Sequence, residues 1–384
     1  MIRKQFSLVL DVGTTGVKAF IFDSKQNLLA KEYLHLNKFV KGNRVEQDPM
    51  EILKKSRLVM LKVLKASGID PKRICKAGIT NQRETIIAWS KTDGKPIYSA
   101  IVWEDNRTKN YCLALIKKYQ KFVQNKTGLP IEAYFSASKI AWIIDNVKAA
   151  KPLLAAGQLS FGTIDSWILW NFVKNHPHLT DRTNASRTLL YNIKRQSWDD
   201  ELLKLFNIPK QCLPKVLPSI SYFGSLDGSI SGLDCPVLAV CGDQQASTYA
   251  AGIKPRSTKV TFGTGTFIVQ ITDRFLIKSG FYTTITPSLN KPKYALEAKI
   301  GWGGKKIEEV LDNRKKLNLL IRQLIDETAI IIHELPYKPL KIIVDGGVSR
   351  NEPLIRLLRQ KTGIIVVEQK IFDGTALGIA KMLK

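Results

Sequence analysis

Residues 9–23 read VLDVGTTGVKAFIFD, an apolar run ending in Asp11, then Gly-Thr-Thr-Gly, then a second apolar run. Residues 6–12 and 17–22 are rich in β-branched and aromatic side chains around a glycine-containing break, which predicts a β-hairpin. A Walker A loop or a dinucleotide fingerprint would need a helix after the glycines, and here the chain returns as a strand. The turn offers backbone N–H groups and two hydroxyls to phosphate oxygens, and Asp11 suits a hydrated magnesium ion. A plain hairpin with a polar turn facing water is the alternative, and one such turn leaves both interpretations open.

The same pattern recurs later in the chain. Residues 259–269 read KVTFGTGTFIV, again strand, Gly-Thr-Gly-Thr and strand, which indicates an internally duplicated protein. Residues 341–358, KIIVDGGVSRNEPLIRLL, predict a buried strand, an Asp-Gly-Gly turn and an amphipathic helix. Glycines at such a turn let a phosphate or a flat ligand approach the backbone.

The formal net charge of +26 raises the question of a nucleic-acid partner. The lysines are spread along the chain without a block of five or six like charges, and no nucleic-acid-binding motif is present. We therefore expect a solvated basic surface that attracts an anionic substrate, with nucleic-acid association as a minor alternative. The short apolar N-terminal stretch is closed by Asp11, which argues against a signal peptide, and no segment is long enough to span a membrane. These features predict a cytoplasmic protein.

Cysteine and histidine patterns give no metal site. The five cysteines are scattered, contain no C-x-x-C and are expected to be buried free thiols. His176 and His178 form the sole close histidine pair, and two ligands without partners favour a loop over a metal site.

Two further segments place polar side chains after apolar runs. Residues 78–89, GITNQRETIIAW, set the donor fork of Arg83 beside the acceptor Glu84. Such a pair can bind a hydroxyl-rich substrate, but the residues alone favour an ordinary surface ion pair. Residues 235–252, CPVLAVCGDQQASTYAAG, put Asp243 at the start of a small-residue helix, where simple capping would explain it.

Taken together, these segments resemble the FGGY family of carbohydrate kinases, and within it the glycerol kinases. NQRET (81–85), IVWEDNRT (101–108), GLPIEAYFSASKIAWIID (128–145) and GDQQ (242–245) are each similar to segments of that family. The resemblance implies an α/β fold of two actin-like ATPase (ribonuclease H-like) domains flanking a nucleotide cleft. It assigns residues 1–250 to the substrate and phosphate-hairpin domain and 251–384 to a reduced nucleotide domain.

The resemblance also implies roles for individual residues. Asp243 would be the catalytic base, and a carboxylate of ordinary pKa, about 3.9, suffices because phosphoryl transfer depends more on aim than on basicity. For Trp103 and Tyr134 the residues alone favour core packing. The substrate-binding residues would be Arg83, Glu84, Trp103, Tyr134, Asp243, Gln244 and Phe267. The nucleotide-binding residues would be Thr14, Thr15, Gly16, Lys18, Thr264, Gly304, Glu308, Gly347 and Asn351, with Asp11 holding magnesium.

The chain also departs from the family pattern. Gly16 stands where a serine is common, Lys18 where an arginine is common, and Glu308 where a glutamine is usual. Family members are longer: this chain lacks a block of their second domain between about residues 310 and 342, and it stops after GTALGIAKMLK where the family continues. The segment around TNAS (183–186) is expected to be a structural polar turn without chemistry of its own.

The leading hypothesis is an ATP- and Mg²⁺-dependent kinase that phosphorylates a polyol or sugar, most specifically glycerol to sn-glycerol 3-phosphate. Another FGGY sugar kinase and a shortened pseudokinase that binds without catalysis are the alternatives. No membrane or specific nucleic-acid partner is expected, and a homo-oligomer is possible.

Overall fold

The computed structural model describes residues 5–253, 255–263, 265–288, 293–303, 306–307, 309–310, 312–369 and 373–384. The chain divides into two compact units. The first comprises Met1–Ser247, Pro287–Pro292 and Thr375–Lys384, and the second comprises Thr248–Thr286 and Lys293–Gly374. Among the described residues, no helix combines the length and apolarity needed to cross a membrane.

The strands of the first unit, in chain order, are β1 (Phe6–Val12), β2 (Gly16–Asp23), β3 (Leu28–His35), β4 (Phe39–Lys41), β5 (Arg44–Gln47), β6 (Ile74–Asn81), β7 (Ile86–Ser90), β8 (Ala100–Ile101), β9 (Leu159–Thr163), β10 (Leu179–Asp181), β11 (Tyr191–Asn192), β12 (Ser197–Trp198), β13 (Lys215–Leu217) and β14 (Val237–Gly242). The helices that begin in this part of the chain are α1 (Pro49–Ser67), α2 (Lys109–Thr127), α3 (Ser136–Asn146), α4 (Ala150–Ala155), α5 (Ile164–Phe172), α6 (Arg182–Ala185), α7 (Asp200–Leu205), α8 (Gly228–Ser231) and α9 (Asp243–Ala250). Short 3₁₀ helices cover Pro71–Arg73 and Lys210–Cys212.

The strands of the second unit are β15 (Ser257–Phe262), β16 (Thr266–Thr272), β17 (Tyr282–Thr286), β18 (Lys293–Ile300), β19 (Lys341–Asp345) and β20 (Ile365–Glu368). Its described helices are α10 (Arg314–His333) and α11 (Glu352–Thr362), with a 3₁₀ turn at Gly347–Arg350. The last helix, α12 (Gly374–Met382), returns to the first unit from Thr375 onwards.

The main sheets of the two units repeat one topology, which confirms the predicted duplication. The first has the order β14-β6-β1-β2-β3, and the second contains β20-β19-β15-β16-β18, with β17 added at the edge. In each, a hairpin pairs antiparallel, a third strand extends it antiparallel, and two later strands add in parallel on the other side. Both predicted hairpins and the strand–turn–helix at 341–358 are present.

Local sequence explains why the core of the first unit forms where it does. Every residue of β1 is buried, as expected for a central strand covered on both faces. Helix α1 begins with Asp48 capping the Met50 N–H and Pro49 in its first turn, and it ends at Gly68 in the left-handed conformation. Its apolar side packs on the sheet beside the large aromatic side chains of β7 and α5.

From Thr375 onwards the last helix belongs to the first compact unit, whereas the predicted boundary placed it in the nucleotide domain. A Cβ on Gly78 would lie 2.3 Å from the Ile379 Cγ2, and one on Gly378 would lie 1.9 Å from the Ala246 carbonyl oxygen. Two glycines thus allow α12 to lie directly against β6 and α9. The functional assignment of 1–250 and 251–384 stays a prediction.

The structure confirms free cysteine thiols and a histidine-containing loop, but burial was predicted for all five cysteines and is wrong for Cys75. All five cysteines are free thiols; four are buried and Cys75 is partly exposed. His176 and His178 lie in a loop, with one ring nitrogen of each within hydrogen-bonding distance of a backbone carbonyl oxygen.

Candidate active site

Three neighbouring parallel strands bring the predicted acids to one edge of the first sheet. Asp11 of β1 and Cys241 of β14 both pair with Thr80 of the intervening β6. Since adjacent strands lie about 4.8 Å apart, β1 and β14 are separated by about 10 Å, and Asp243 follows Cys241 by two residues. Electrostatic repulsion from Asp11 is one of the effects that raise the pKa of Asp243. Asp11 and Asp243 therefore face the same region of this unit.

Asp243 does not have the ordinary pKa expected from the sequence. Burial raises its pKa to about 7, Arg83 opposes the rise, and Glu84 adds to it. The side chain keeps 28% of its surface exposed, and its Oδ1 lies 3.5 Å from the Arg83 Nε. The expectation of about 3.9 was wrong because local sequence reveals neither desolvation nor a second acid beside the group. A carboxyl group that titrates near neutral pH can accept a proton under physiological conditions.

Arg83 and Glu84 form a buried charged pair rather than the surface ion pair that the residues alone favoured. Both side chains are only 2% exposed, with the Arg83 Nε 3.9 Å from the Glu84 Oε1. Arg83 also donates to the Gln245 Oε1 at 3.1 Å. Glu84 has a φ of +61°, an unusual backbone conformation for a residue with a side chain, and its carbonyl oxygen accepts from the Ser136 Oγ at 3.0 Å. Donors and acceptors for hydroxyl groups thus converge beside Asp243.

Trp103 and Tyr134 are neighbours and flank the same region. Their rings meet edge to face with centroids 5.6 Å apart. The Trp103 indole donates to the Thr14 Oγ1 at 2.9 Å, and Thr14 donates in turn to the Gln82 Oε1 at 3.1 Å. The turn of the first hairpin is therefore tied to the segment that carries Arg83 and Glu84.

The Thr14 hydroxyl is hydrogen-bonded within the protein, and its nucleotide contact stays a prediction. A hydroxyl has one proton to donate, and that of Thr14 is directed at Gln82. Gln82 is itself fixed by donating to the Gln47 Oε1 at 2.8 Å, and Gln47 donates to the Thr14 carbonyl at 2.8 Å. The Thr14 side chain is thus built into the structure that shapes the turn.

Thr15 and Lys18 are the other predicted phosphate-binding side chains near this turn. Thr15 is exposed, and Lys18 is directly opposite Asp11 in the β1–β2 pairing. Gly16 is buried, and a Cβ there would lie 2.3 Å from the Tyr33 ring and 2.6 Å from the Leu34 carbonyl oxygen. The Tyr33 ring therefore occupies the space that a serine side chain would need at position 16.

The remaining predicted residues belong to the second unit. Phe267 is half-buried on β16, Gly347 begins the 3₁₀ turn, and Asn351 caps α11 by accepting from the Leu354 N–H at 3.1 Å. Gly346 has a φ of +97°, and a Cβ there would lie 2.2 Å from the Phe262 carbonyl oxygen. Close packing against β15 therefore explains why a glycine is needed at this position. Thr264, Gly304 and Glu308 lie outside the described residues. The ligand roles of this group stay predictions.

Some residues that shape the site are not singled out by the sequence. Gln245 contacts Arg83, whereas the predicted amide was its neighbour Gln244, although the repeated amide in GDQQ was a visible signal. Lys139 is fully buried and donates to the Tyr134 carbonyl at 2.8 Å; burial lowers its pKa to about 8, and Glu84 opposes the shift. Arg187 bonds to Glu84 from a segment expected to be purely structural. A lysine in an apolar helix and an arginine after TNAS were the available hints.

Comparison with known proteins gives a consistent picture. The family model described as the FGGY family of carbohydrate kinases, N-terminal domain, matches residues 6–250. Glycerol kinase 2 of Thermotoga maritima is 42% identical over 317 residues, covering 81% of this chain and 64% of that protein. Glycerol kinase of Aquifex aeolicus is 42% identical over 321 residues, covering 83% and 64%. The chain thus spans less than two thirds of the length of these curated relatives.

Solved structures agree on the fold. Plasmodium falciparum glycerol kinase, crystallised with ADP, has a TM-score of 0.91 at 28% identity, covering 98% of this chain and 89% of the other. Gluconate kinase from Lactobacillus acidophilus has a TM-score of 0.86 at 18% identity, covering 99% and 88%, which supports the fold alone.

Proposed function

Because the chain belongs to the FGGY family of carbohydrate kinases, we propose that it transfers the γ-phosphoryl group of ATP to a hydroxyl of a polyol, glycerol in particular. One observation carries the proposal: two carboxylates lie close to the Arg83 Nε, with the Asp243 Oδ1 at 3.5 Å and the Glu84 Oε1 at 3.9 Å. The similarity to proteins named glycerol kinase, at 42% identity, supports glycerol as the acceptor.

The polyol would bind through complementary groups. Each hydroxyl both donates and accepts, Arg83 supplies donors in a rigid fork, and Glu84 supplies acceptors. Trp103 and Tyr134 offer an apolar wall for the carbon skeleton, and Gln244 would bind a further hydroxyl. Water is largely excluded from the buried pair, which strengthens each of these hydrogen bonds.

Asp243 would act as the base. Its carboxylate would accept a hydrogen bond from the attacking hydroxyl, aim the oxygen at the phosphorus and take the proton late in the transfer. The Arg83 charge at 3.5 Å favours the ionised form that this role needs, against the burial that raises its pKa to about 7. Aim and proton acceptance are thus supplied by the same side chain.

The phosphates would meet the turn of the first hairpin. With the Thr14 hydroxyl proton directed at Gln82, the donors proposed for phosphate oxygens are backbone N–H groups of the turn, the exposed Thr15 hydroxyl and Lys18. The adenosine contacts of Gly347 and Asn351 in the second unit remain part of the proposal.

Magnesium would be held by Asp11. Its carboxylate is buried at the end of β1, and its Oδ2 accepts from the Thr375 Oγ1 at 3.0 Å. Among the described residues, no three His, Cys, Asp or Glu side chains form a metal-binding group, so an all-protein cage is absent from that part of the chain. Mg²⁺ commonly takes one or two carboxylates and completes its shell with water and phosphate, so the residues present fit it. When bound, the ion would neutralise charge on the phosphates.

A substrate panel tests the proposal. ADP release would be followed with Mg-ATP and glycerol, xylulose or gluconate, and glycerol is expected to give the highest kcat/KM. Asp243→Ala should abolish turnover and leave the protein folded by circular dichroism. A higher kcat/KM for xylulose or gluconate would indicate an FGGY kinase with a different substrate. A thermal shift with ligands but no product would indicate a pseudokinase. Absence of phosphorylation of any polyol or sugar would overturn the proposal.

A further inference from the structure

Arg187 has no role in the proposal above, yet it is fully buried against the candidate site. Its Nε donates to the Glu84 Oε1 at 2.5 Å, and its side chain has no measurable exposure. Its guanidinium carbon lies 5.5 Å from the Tyr134 ring centroid and 5.1 Å from that of Phe135. One cation therefore contacts two groups proposed to bind the polyol, a carboxylate and an aromatic ring.

Glu84 needs such a partner. A buried carboxylate is costly unless it is paired and hydrogen-bonded. Arg83 is shared, with its Nε 3.9 Å from Glu84 and 3.5 Å from Asp243, so Arg187 makes the shorter contact with Glu84. The two carboxylates thus have different main partners, Arg187 for Glu84 and Arg83 for Asp243.

The segment before Arg187 explains how it reaches this position. Asp181 caps α6 by accepting from the N–H groups of Thr183 and Asn184. The Asn184 and Asn81 amides exchange hydrogen bonds of 3.0 and 3.1 Å, and the Thr183 Oγ1 accepts from the Gly242 N–H at 2.9 Å. This segment is therefore bonded to the ends of β6 and β14, the two strands that lead into Arg83–Glu84 and Asp243.

We propose that Arg187 is a positioning residue of the polyol pocket, which fixes the orientation of the Glu84 carboxylate and of the Tyr134 ring. The inference rests on the proposed function. It assigns a role to the TNASR segment that goes beyond a polar turn. A polyol then meets a preformed acceptor and does not have to order one on binding, which favours tight binding.

Kinetics of Arg187→Met test this role. Its KM for glycerol should rise at least tenfold, whereas its KM for ATP should stay within twofold of wild type. Arg187→Lys keeps the charge but loses the planar fork, so it should recover part of the glycerol affinity. One of the two deoxy analogues, propane-1,2-diol or propane-1,3-diol, lacks the hydroxyl that donates to Glu84. The ratio of kcat/KM for glycerol to kcat/KM for that analogue should fall in Arg187→Met.

Arg107 offers a matched control. It too is buried, with its Nη2 2.5 Å from the Glu46 Oε1 and 2.7 Å from the Asp105 Oδ2, and its guanidinium lies over Trp142 at 4.5 Å. Arg107→Met should cost comparable stability and leave the glycerol KM within twofold of wild type.

The outcomes separate the two claims. If wild type is active and Arg187→Met matches Arg107→Met in its glycerol KM, the positioning role is wrong and the proposed function stands. If Arg187→Met does not fold, Arg187→Lys carries the test: its glycerol KM should still rise because the planar guanidinium is lost, and a wild-type KM would show that this guanidinium does not position Glu84. If wild type phosphorylates no polyol and shows no thermal shift with glycerol, the proposed function fails and this inference fails with it.

Discussion

Replacing Asp243 with asparagine should stabilise the ligand-free protein at pH 8. The folded-state pKa is about 7, against an ordinary value of 3.8. An unfolded chain releases this proton above about pH 4, whereas the native state holds it until about pH 7. The carboxyl therefore lowers the free energy of unfolding as pH rises through this window, and the loss is complete above the folded-state pKa. Asparagine resembles the neutral acid and does not titrate.

The magnitude follows from the two pKa values. Each pKa unit corresponds to about 1.4 kcal/mol, so the full effect at pH 8 is at most about 4 kcal/mol. By the same linkage relation, roughly 1.7 kcal/mol of it is already present at pH 5. The stability of Asp243→Asn relative to wild type should thus improve by roughly 2–3 kcal/mol between pH 5 and pH 8. Loss of the base should cut turnover by about 10²–10⁴-fold in the same variant.

Urea unfolding followed by tryptophan fluorescence at pH 5 and pH 8, without Mg²⁺ or nucleotide, measures this difference. Asp199 provides a control of opposite sign. Burial raises its pKa, but hydrogen bonds from Asn192 and Lys126 outweigh burial and leave the pKa below the ordinary value. Asp199→Asn should therefore lose stability at pH 8. An Asp243→Asn difference that is independent of pH, or that shrinks towards pH 8, would refute the electrostatic reasoning.

Other substitutions probe the turn and the last helix. Trp103→Phe removes the donor to Thr14 and keeps a ring, so the KM for ATP should rise about 5- to 10-fold, as expected for one hydrogen bond of about 1 kcal/mol, with a smaller change for glycerol. Gly16→Ser should cost about 1–3 kcal/mol of unfolding free energy in urea denaturation, because its Cβ would meet the Tyr33 ring at 2.3 Å, and Tyr33→Ala should recover part of the loss. Gly378→Ala should lower the thermal midpoint, because its Cβ would lie 1.9 Å from a carbonyl oxygen that cannot rotate away.

Matched controls separate these effects from general damage. The Trp198 indole donates to the Pro214 carbonyl at 2.8 Å, so Trp198→Phe loses a similar bond elsewhere and should leave the KM for ATP unchanged. A Cβ on Gly301 would meet no described atom within 4 Å, so Gly301→Ser should be nearly neutral. Equal ATP kinetics in Trp103→Phe and Trp198→Phe would contradict a role for the indole donor. Wild-type stability in Gly16→Ser or Gly378→Ala would contradict the close packing around these two glycines.

The parts of the fold that the sequence predicts are those set by local patterns. Both Gly-Thr hairpins follow from β-branched runs around a glycine break, and the strand–turn–helix at 341–358 follows from a change of hydrophobic period. The family resemblance predicts that Arg83, Glu84 and Asp243 share one site, which no local sequence pattern could predict. The structure places both carboxylates within 4 Å of the Arg83 Nε.

What escaped prediction depends on contacts between distant parts of the chain. Arg187 meets Glu84 across 103 positions, and Thr375 meets Asp11 across 364. The pKa of Asp243 depends on burial, which is a property of the folded surroundings. In these places the partner is set by tertiary packing, and neither residue type nor spacing reveals it.

The charges of the first unit also bear on which substrate fits. The carboxylates of the proposed polyol pocket already have cationic partners: Glu84 lies beside Arg187 and Arg83, and Asp243 lies beside Arg83. Since the buried pairs already satisfy one another, a substrate that brings its own carboxylate would add an unpaired anion to a desolvated region, which is costly. An uncharged polyol needs only hydrogen bonds, which the Arg83 guanidinium and the Glu84 carboxylate can provide without breaking these ion pairs. Charge and burial thus give the proposal of glycerol, over a sugar acid such as gluconate, a physical argument in addition to sequence similarity.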